Sequence, residues 1–113
     1  MATEPMRFGL KEATINQISS VFSSYPTVDK AIIYGSRSKG NYRNGSDIDL
    51  TLIGSALTYD QLNQIETQLD DLLLPYCIDL SLFNQIDNLD LIDHINRVGQ
   101  VFYLRLPPSA NQI

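Results

Sequence analysis

The sequence predicts an α/β domain in which an open β-sheet carries helices. Short apolar segments with a period of two residues alternate with longer segments whose apolar residues recur at helical spacing. The chain has 113 residues, of which 43% are hydrophobic and 19% are charged. This is an ordinary composition for a chain that can bury its own core, so we expect residues 1–113 to form a single domain.

The predicted elements follow the order helix, strand, turn, strand, helix, strand, helix, strand. They cover residues 10–24, 30–35, 36–40, 47–53, 58–76, 77–83, 88–99 and 100–106. Thr58 and Gln61 fit a capping pair at the start of the second long helix, and Pro75 is expected to stop that helix. Residues 1–7 and 107–113 are expected to be loose tails.

Composition excludes several classes of function. The formal net charge is −5, whereas a general nucleic-acid binder carries a basic face, so we expect no direct nucleic-acid binding. Cys77 is the single cysteine, which excludes an intramolecular disulfide and a cysteine zinc site. The start MATEPMRF is too polar for a signal peptide, and no apolar run approaches the ~20 residues of a membrane helix. We expect a cytoplasmic protein without membrane contact.

Three aspartates lie on the polar faces of two predicted strands. Asp47 and Asp49 are two residues apart, so in a strand they share a face, with Cα atoms about 6.5–7 Å apart. Asp79 lies on the polar face of the strand 77–83. If the strands are neighbours, three carboxylates converge, and a divalent cation relieves their repulsion and desolvation. All-oxygen ligands favour Mg²⁺ or Mn²⁺ over zinc, whereas the alternative is an ordinary solvated strand edge.

The stretch GSRSKG, residues 35–40, predicts an anion-binding turn. Gly35 lets a bulky anion approach the main chain, and the free N–H groups of the turn and the Ser36 hydroxyl can receive phosphate oxygens. Arg37 and Lys39 put positive charge near the same turn. Phosphate and metal sites would then lie at the ends of adjacent strands, whereas the alternative is a solvated loop.

These motifs resemble a known signature. Gly35-Ser36, then ten residues, then Asp47-Ile48-Asp49 and a later Asp79 resemble the polymerase-β-type nucleotidyltransferases. The string YGSRSKGNYRNGSDIDL looks like the minimal nucleotidyltransferases, small stand-alone members that commonly read Gly-Ser-Arg-Ala-Arg-Gly here. In this chain Ser38 replaces the alanine and Lys39 replaces the second arginine. Lysine cannot form the bidentate contact with phosphate that arginine forms.

The resemblance implies a fold, an activity and a partner. The fold is a mixed sheet of the polymerase-β palm type with helices packed on it. The activity is metal-dependent transfer of AMP from ATP to a hydroxyl. Gly35 and Ser36 would hold the triphosphate, Asp47 and Asp49 would bind both metals, and Asp79 would bind the catalytic one. The partner is a helical HEPN-type toxin, and the transferase is its antitoxin, which modifies a toxin tyrosine.

Two other functions stay open at this point. A non-catalytic antitoxin would neutralise its partner by covering the partner's active site. A small-molecule nucleotidyltransferase usually carries an acceptor-binding domain, for which 113 residues leave little room. Among single residues, Tyr34 and Tyr42 could stack on a base, although Tyr34 also fits a core position. His94 could pair with Asp90 on a metal, although a surface or interface histidine is the simpler interpretation.

Overall fold

A computed structural model of the chain describes residues 6–106. The elements in chain order are β1 (Met6–Arg7), β2 (Leu10–Lys11), α1 (Glu12–Ser23), β3 (Lys30–Tyr34), α2 (Ser36–Lys39), β4 (Ile48–Ile53), α3 (Tyr59–Asp70), β5 (Ile78–Leu82), α4 (Leu89–Val98) and β6 (Gln100–Leu104). A short 3₁₀ turn, Phe83–Gln85, follows β5. The main sheet has the strand order β5–β4–β3–β6. β3 is antiparallel to β4 and to β6, whereas β4 and β5 are parallel, so the predicted mixed sheet is confirmed.

The main core lies between one face of the sheet and the helices α1 and α3. The inward side chains of β4 alternate along the strand and are fully buried, namely Ile48, Leu50 and Leu52. They join the apolar stripes of α1 (Ile15, Ile18 and Phe22) and α3 (Leu62, Ile65 and Leu69). Because α3 connects the parallel strands β4 and β5, it forms the crossover that a parallel pair requires.

The second face of the sheet is covered in part by α4. The ring of His94 on α4 meets the ring of Tyr34 on β3 edge-on, with centroids 6.2 Å apart. A Cβ at Gly99, the residue after α4, would overlap Ile32 on β3, which shows how closely this connection crosses the sheet. The outward face of β4 and β5 beside α4 carries the aspartates.

The N-terminus differs from the prediction. Met6–Arg7, expected to be part of a tail, pairs with Leu10–Lys11 in a small antiparallel hairpin, so α1 begins at Glu12 instead of residue 10. Phe8 and Gly9 form the turn with φ of 59° and 72°, as in a two-residue type I′ hairpin turn. The rest of the expected tails, residues 1–5 and 107–113, lies outside the described residues.

The helix expected over residues 58–76 ends earlier than predicted. Thr58 caps it by accepting the N–H of Gln61 at 3.2 Å, which confirms the predicted start, but α3 stops at Asp70. The next turn tightens, with the N–H of Leu73 bound to the carbonyl of Asp70, and Leu73 has a φ of 55°. The helix therefore stops before Pro75 removes a donor.

A side chain distant in sequence closes the C-terminal end of α1. Arg105 Nη2 donates to the carbonyls of Ser23 at 3.1 Å and Tyr25 at 2.8 Å, and Arg105 Nε donates to the carbonyl of Val28 at 3.0 Å. The last turn of α1 contains no basic residue of its own, so this guanidinium supplies the positive charge that a helix C-terminus favours. Across residues 6–106, no helix combines the length and apolarity needed to cross a membrane.

Candidate active site

Two of the predicted site aspartates lie side by side on neighbouring strands. The parallel pairing of β4 with β5 puts Asp49 in register with Asp79, and such strands lie about 4.8 Å apart. β5 is an edge strand of the sheet, and Asp79 is exposed there, whereas Asp49 lies one strand further in and is half-buried. Carboxylates that are far apart in the sequence therefore share one patch of the sheet.

Asp47 adds a third carboxylate from just outside β4. It is exposed and precedes Asp49 by two residues. Burial raises the pKa of Asp49, the negative charges of Asp79 and Asp47 raise this pKa further, and His94 opposes them. The charges of Asp47 and Asp79 thus both act on Asp49. We call these three aspartates the acidic group.

Gly35 brings the main chain against the acidic group. Its φ of 77° and ψ of −153° are accessible almost only to glycine, and a Cβ at this position would overlap Asp49 Oδ2. Gly35 is the N-cap of α2, in which the N–H of Lys39 donates to the Gly35 carbonyl at 3.1 Å. The N–H groups of Ser36 and of the two residues after it precede this bond, so the helix itself offers them no acceptor. A turn whose first N–H groups have no acceptor within the helix therefore adjoins the carboxylates, and its binding of an anion stays a prediction.

Arg37 is buried, whereas its charge suggested a side chain that faces the phosphate site. The residue is 3% exposed, and its guanidinium donates to the carbonyl of Ser46 through Nε (3.1 Å) and Nη2 (2.9 Å). Nη1 donates to the carbonyl of Phe8 at 2.9 Å, and the guanidinium also lies over the rings of Tyr42 and Tyr76. These contacts fasten the loop before β4 to the N-terminal hairpin. The Nε, Nη1 and Nη2 atoms of Arg37 all donate to main-chain carbonyls, which supports a structural role, and its contact with phosphate stays a prediction.

Of the remaining residues of α2, Ser38 is bound to other elements and Lys39 is exposed. The Ser38 hydroxyl donates to the carbonyl of Val98, and Gln100 Nε2 donates to the Ser38 carbonyl at 2.8 Å. Ser38 thus ties the turn to the end of α4 and the start of β6. Lys39 is exposed at the end of α2, and its contact with phosphate stays a prediction.

The two tyrosines and the histidine have distinct places. Tyr34 is 8% exposed and is the register partner of Asp49, so its ring is buried on the face of the sheet that carries the aspartates and has little free surface for stacking on a base. Tyr42 is exposed but covers Arg37 and Gly9 with its ring. His94 lies beside Tyr34 and acts electrostatically on Asp49, which makes it part of the site's surroundings.

Sequence reasoning missed two hydroxyl residues below the acidic group. Thr51 and Ser81 are in register with each other, one step along the sheet from the pair Asp49 and Asp79. The Ser81 hydroxyl donates to Thr51 Oγ1 at 3.0 Å, and Thr51 is fully buried. The alternation that puts Asp49 and Asp79 on one face of the sheet puts Thr51 and Ser81 on the same face. A hydroxyl residue on a strand, however, does not by itself indicate a functional site.

The acidic group fits a hard divalent cation by its donor chemistry. In residues 6–106, no group of three or more His, Cys, Asp or Glu side chains is arranged so that it could hold a metal ion as it stands. Neighbouring carboxylates nevertheless repel each other at Asp49, and in this described part no lysine or arginine forms an ion pair with them. An all-oxygen donor set of this kind suits Mg²⁺ or Mn²⁺.

A mixed sheet with carboxylates on two adjacent strands beside a glycine-led turn defines the nucleotidyltransferase class. The family described as "Polymerase beta, Nucleotidyltransferase" matches residues 16–107, and the chain belongs to this family. The family predicted from the sequence is thereby confirmed. No curated protein matches the sequence.

Solved structures with the same fold include several toxin–antitoxin complexes. A toxin–antitoxin with AMP-PNP has a TM-score of 0.66 and 19% identity, covering 80% of this chain and 73% of that chain. An MntA–HepT complex has a TM-score of 0.63 and 15% identity, covering 84% and 74%. A tri-AMPylated Shewanella oneidensis HEPN toxin in complex with an MNT antitoxin has a TM-score of 0.62 and 17% identity, covering 83% and 72%. At these identities the likeness shows the fold.

Proposed function

We propose that this chain is a minimal nucleotidyltransferase that transfers AMP from ATP to a tyrosine hydroxyl of a HEPN-type toxin and so acts as its antitoxin. Family membership supports the nucleotidyl chemistry. Solved complexes of similar fold, one with AMP-PNP and one with an AMPylated HEPN toxin, support the nucleotide and the partner. The observation that carries the proposal is the acidic group beside the turn that Gly35 begins.

The proposed reaction is a displacement at the α-phosphorus of ATP. The acceptor oxygen attacks this phosphorus, the bond to the bridging oxygen on the β-phosphate side breaks, and pyrophosphate leaves. Asp79 is exposed on the edge strand, where it can accept the hydroxyl proton. The Ser36 hydroxyl and the first N–H groups of α2 receive oxygens of the triphosphate. Mg²⁺ or Mn²⁺ held by the acidic group supplies charge neutralisation and in-line geometry when bound.

A separate chain brings the acceptor in this proposal. The acidic group lies at an exposed sheet edge, where a second chain can reach Asp79. A partner protein that docks over β5 would exclude water and present its hydroxyl to Asp79. The proposal puts this reaction in the cytoplasm, where ATP is available.

Transfer of labelled AMP tests the proposal. The chain is co-expressed and co-purified with a HEPN-type toxin, and the complex is incubated with ATP labelled at the α-phosphate. We expect label on the partner with the wild type and at least about a hundredfold less label with Asp47→Asn plus Asp49→Asn. Asp70→Asn plus Asp71→Asn is the matched control, because it removes two exposed carboxylates at the end of α3 and should label normally.

The same variants separate the proposal from its alternatives. Equal labelling by the wild type and the Asp47/Asp49 variant would reject the catalytic assignment. Growth protection by that variant without any label would show a non-catalytic antitoxin. Label on a free small molecule and none on the partner would show a small-molecule transferase.

A further inference from the structure

Leu73 and Leu89 are the two most exposed large apolar side chains in residues 6–106. They are 87% and 78% exposed, whereas no other large apolar side chain of this range exceeds 59%. Leu73 lies in the connection that enters β5, and Leu89 is the first residue of α4, which follows β5 in the chain. Both leucines therefore come from segments next to the edge strand that carries Asp79.

Leu73 has a backbone conformation that leucine seldom adopts. Its φ of 55° lies in the left-handed region, which glycine or asparagine usually occupies after a helix. Its N–H donates to the carbonyl of Asp70 at 3.1 Å, so the conformation closes the end of α3, and either of those residues would close it with less strain. The exposed side chain adds little to the fold of the free chain. Strain and exposure together indicate a contact with another molecule.

The strand β5 has an open side between these two segments. Its neighbour in the sheet is β4, and within the described part of the chain no strand pairs with its outer side. Free main-chain groups with exposed apolar side chains beside them form a surface on which a second protein can dock. Asp79 is exposed on the same strand, so a protein docked here reaches the acidic group. We call Leu73, Leu89 and the outer side of β5 the β5 edge surface.

The charges of the chain are separated along the sequence. Residues 44–96, which supply β4, α3, β5 and most of α4, contain ten of the 13 acidic residues and none of the eight lysines and arginines. A field of this kind acts at long range and favours the approach of a protein surface rich in lysine and arginine. Because the field is the sum of many carboxylates, it does not depend on any one of them.

The opposite edge of the sheet is less suited to this docking. The exposed side chains of β6 include Val101 and Leu104, but β6 is separated from β5 by two strands, so a protein docked there would be far from Asp79. The register of β6 with β3 also shifts at a bulge, a feature that protects an edge from pairing. The strand β5 pairs with β4 in unbroken register and has no such protection.

We propose that the β5 edge surface is the docking face for the toxin of the proposed reaction, with Leu73 and Leu89 as apolar anchors opposite a basic toxin surface. This inference rests on the proposed function, because it takes the protein that brings the acceptor hydroxyl as the occupant. The anchors hold the toxin over Asp79, and the acidic charge of residues 44–96 speeds the encounter. The two leucines take no part in the chemistry.

Binding of the purified HEPN-type toxin in the absence of nucleotide tests the inference. Biolayer interferometry gives the association rate, the dissociation rate and the Kd. Leu73→Asn keeps the size of the side chain and suits the left-handed backbone, whereas Leu89→Gln puts a polar side chain in the first turn of α4. We expect each variant to raise the Kd about tenfold or more, mainly through faster dissociation. The melting temperature of free Leu73→Asn should equal or exceed that of the wild type, which a purely structural role of Leu73 would not allow.

Leu104→Gln is the matched control, because Leu104 is 55% exposed on the opposite edge strand, β6. Its Kd should equal that of the wild type. An unchanged Kd in Leu73→Asn or in Leu89→Gln would overturn the inference, as would an equal loss in Leu104→Gln or a wild type that does not bind the toxin. Should either leucine variant fail to fold, which thermal unfolding identifies, an unchanged Kd in the other would overturn it.

Two further measurements test the choice of occupant. The association rate of the wild type should fall about tenfold between about 0.05 M and about 0.5 M NaCl, and a rate independent of salt would contradict a basic surface on the toxin. Sedimentation of the chain alone as a dimer that Leu73→Asn dissociates would show that a second copy occupies this face, and would overturn the inference.

This binding assay is independent of AMP transfer. Weaker toxin binding by both leucine variants together with no transfer by the wild type would reject the proposed reaction and keep the docking face. Normal transfer by the wild type with an unchanged Kd in both variants would keep the reaction and reject the docking face.

Discussion

Gly35 decides how close the turn before α2 can come to Asp49. The carboxylate occupies the space that a side chain at position 35 would need, and the backbone has a conformation in which other residues are strained. The glycine therefore serves the site in two ways, since it permits the turn and leaves room for the aspartate.

Gly35→Ala should disturb both the backbone of the turn and the position of the Asp49 carboxylate. We expect a loss of about 1–3 kcal/mol in the free energy of unfolding from the strained backbone. Displacement of the Asp49 carboxylate should reduce AMP transfer about a hundredfold, because reacting groups tolerate little misplacement. Urea denaturation and the labelled-AMP assay measure the two effects.

Gly40→Ala is a matched control for this change. Gly40 has a φ of 87°, so alanine is strained there too, but nothing lies within 4 Å of the added Cβ. It should lose stability while keeping transfer within a few-fold of the wild type. An equal loss of transfer in both variants would mean that strain, and not overlap with Asp49, explains the effect.

At the scale of elements, local patterns in the sequence predict most of the fold. Alternation identifies β4 and β5, and the Thr58 cap marks the start of α3. The pairing of β4 with β5, which joins Asp49 to Asp79, depends on where α3 packs and is not visible in either strand alone. The sequence predicts the acidic group only on the condition that these strands are neighbours.

Interactions between distant segments explain what the sequence does not predict. Arg37 looks like a phosphate ligand in the motif, but its donors bind the carbonyls of Ser46 and Phe8, whose proximity is a tertiary property. The hairpin turn at Phe8 requires a positive φ at a bulky residue, which no propensity favours. Arg105 caps α1 although it is 82 residues away from Ser23 in the sequence, a separation that no local spacing rule covers.

Arg105→Met should destabilise the protein by about 2–3 kcal/mol, because it removes charge-assisted bonds to the carbonyls of Ser23 and Tyr25 at the end of α1. Methionine keeps much of the stem, so the loss reports the guanidinium. Urea denaturation followed by circular dichroism measures the change. Mn²⁺ affinity should not change, since α1 lies on the other face of the sheet.

Arg97→Met provides the control for Arg105→Met. Arg97 Nε binds Asp93 Oδ2 at 2.8 Å, but the two side chains are 62% and 66% exposed, and such pairs contribute less than about 1 kcal/mol. A loss as large as that of Arg105→Met would indicate a general sensitivity to arginine removal and would contradict the capping role.

At the scale of the whole molecule, the site opposes the stability of the fold. The chain has a net charge of −5, and Asp49 and Asp79 lie in register on one sheet face with Asp47 just before the strand. Asp49 is the member that the fold partly buries, and its raised pKa means that folding favours the protonated form. Ionisation of Asp49, which a cation requires, is therefore less favourable in the folded protein without metal than in the unfolded chain.

Asp49→Asn should therefore raise the melting temperature of the metal-free protein at neutral pH while it abolishes transfer. Because the folded pKa of Asp49 lies above its unfolded value of about 4, the stability from its protonated form is complete below that value and is lost as pH rises through the folded pKa. Asparagine is neutral throughout, so its advantage should be largest near pH 7 and should disappear below about pH 4. Thermal unfolding in EDTA from pH 3.5 to pH 8 measures this profile, with Asp60→Asn, an exposed aspartate in the first turn of α3, as the reference for loss of a surface charge. An Asp49→Asn variant that is less stable than the wild type at pH 7, or whose advantage grows on acidification, would show that the ionised Asp49 carboxylate does not destabilise the folded protein.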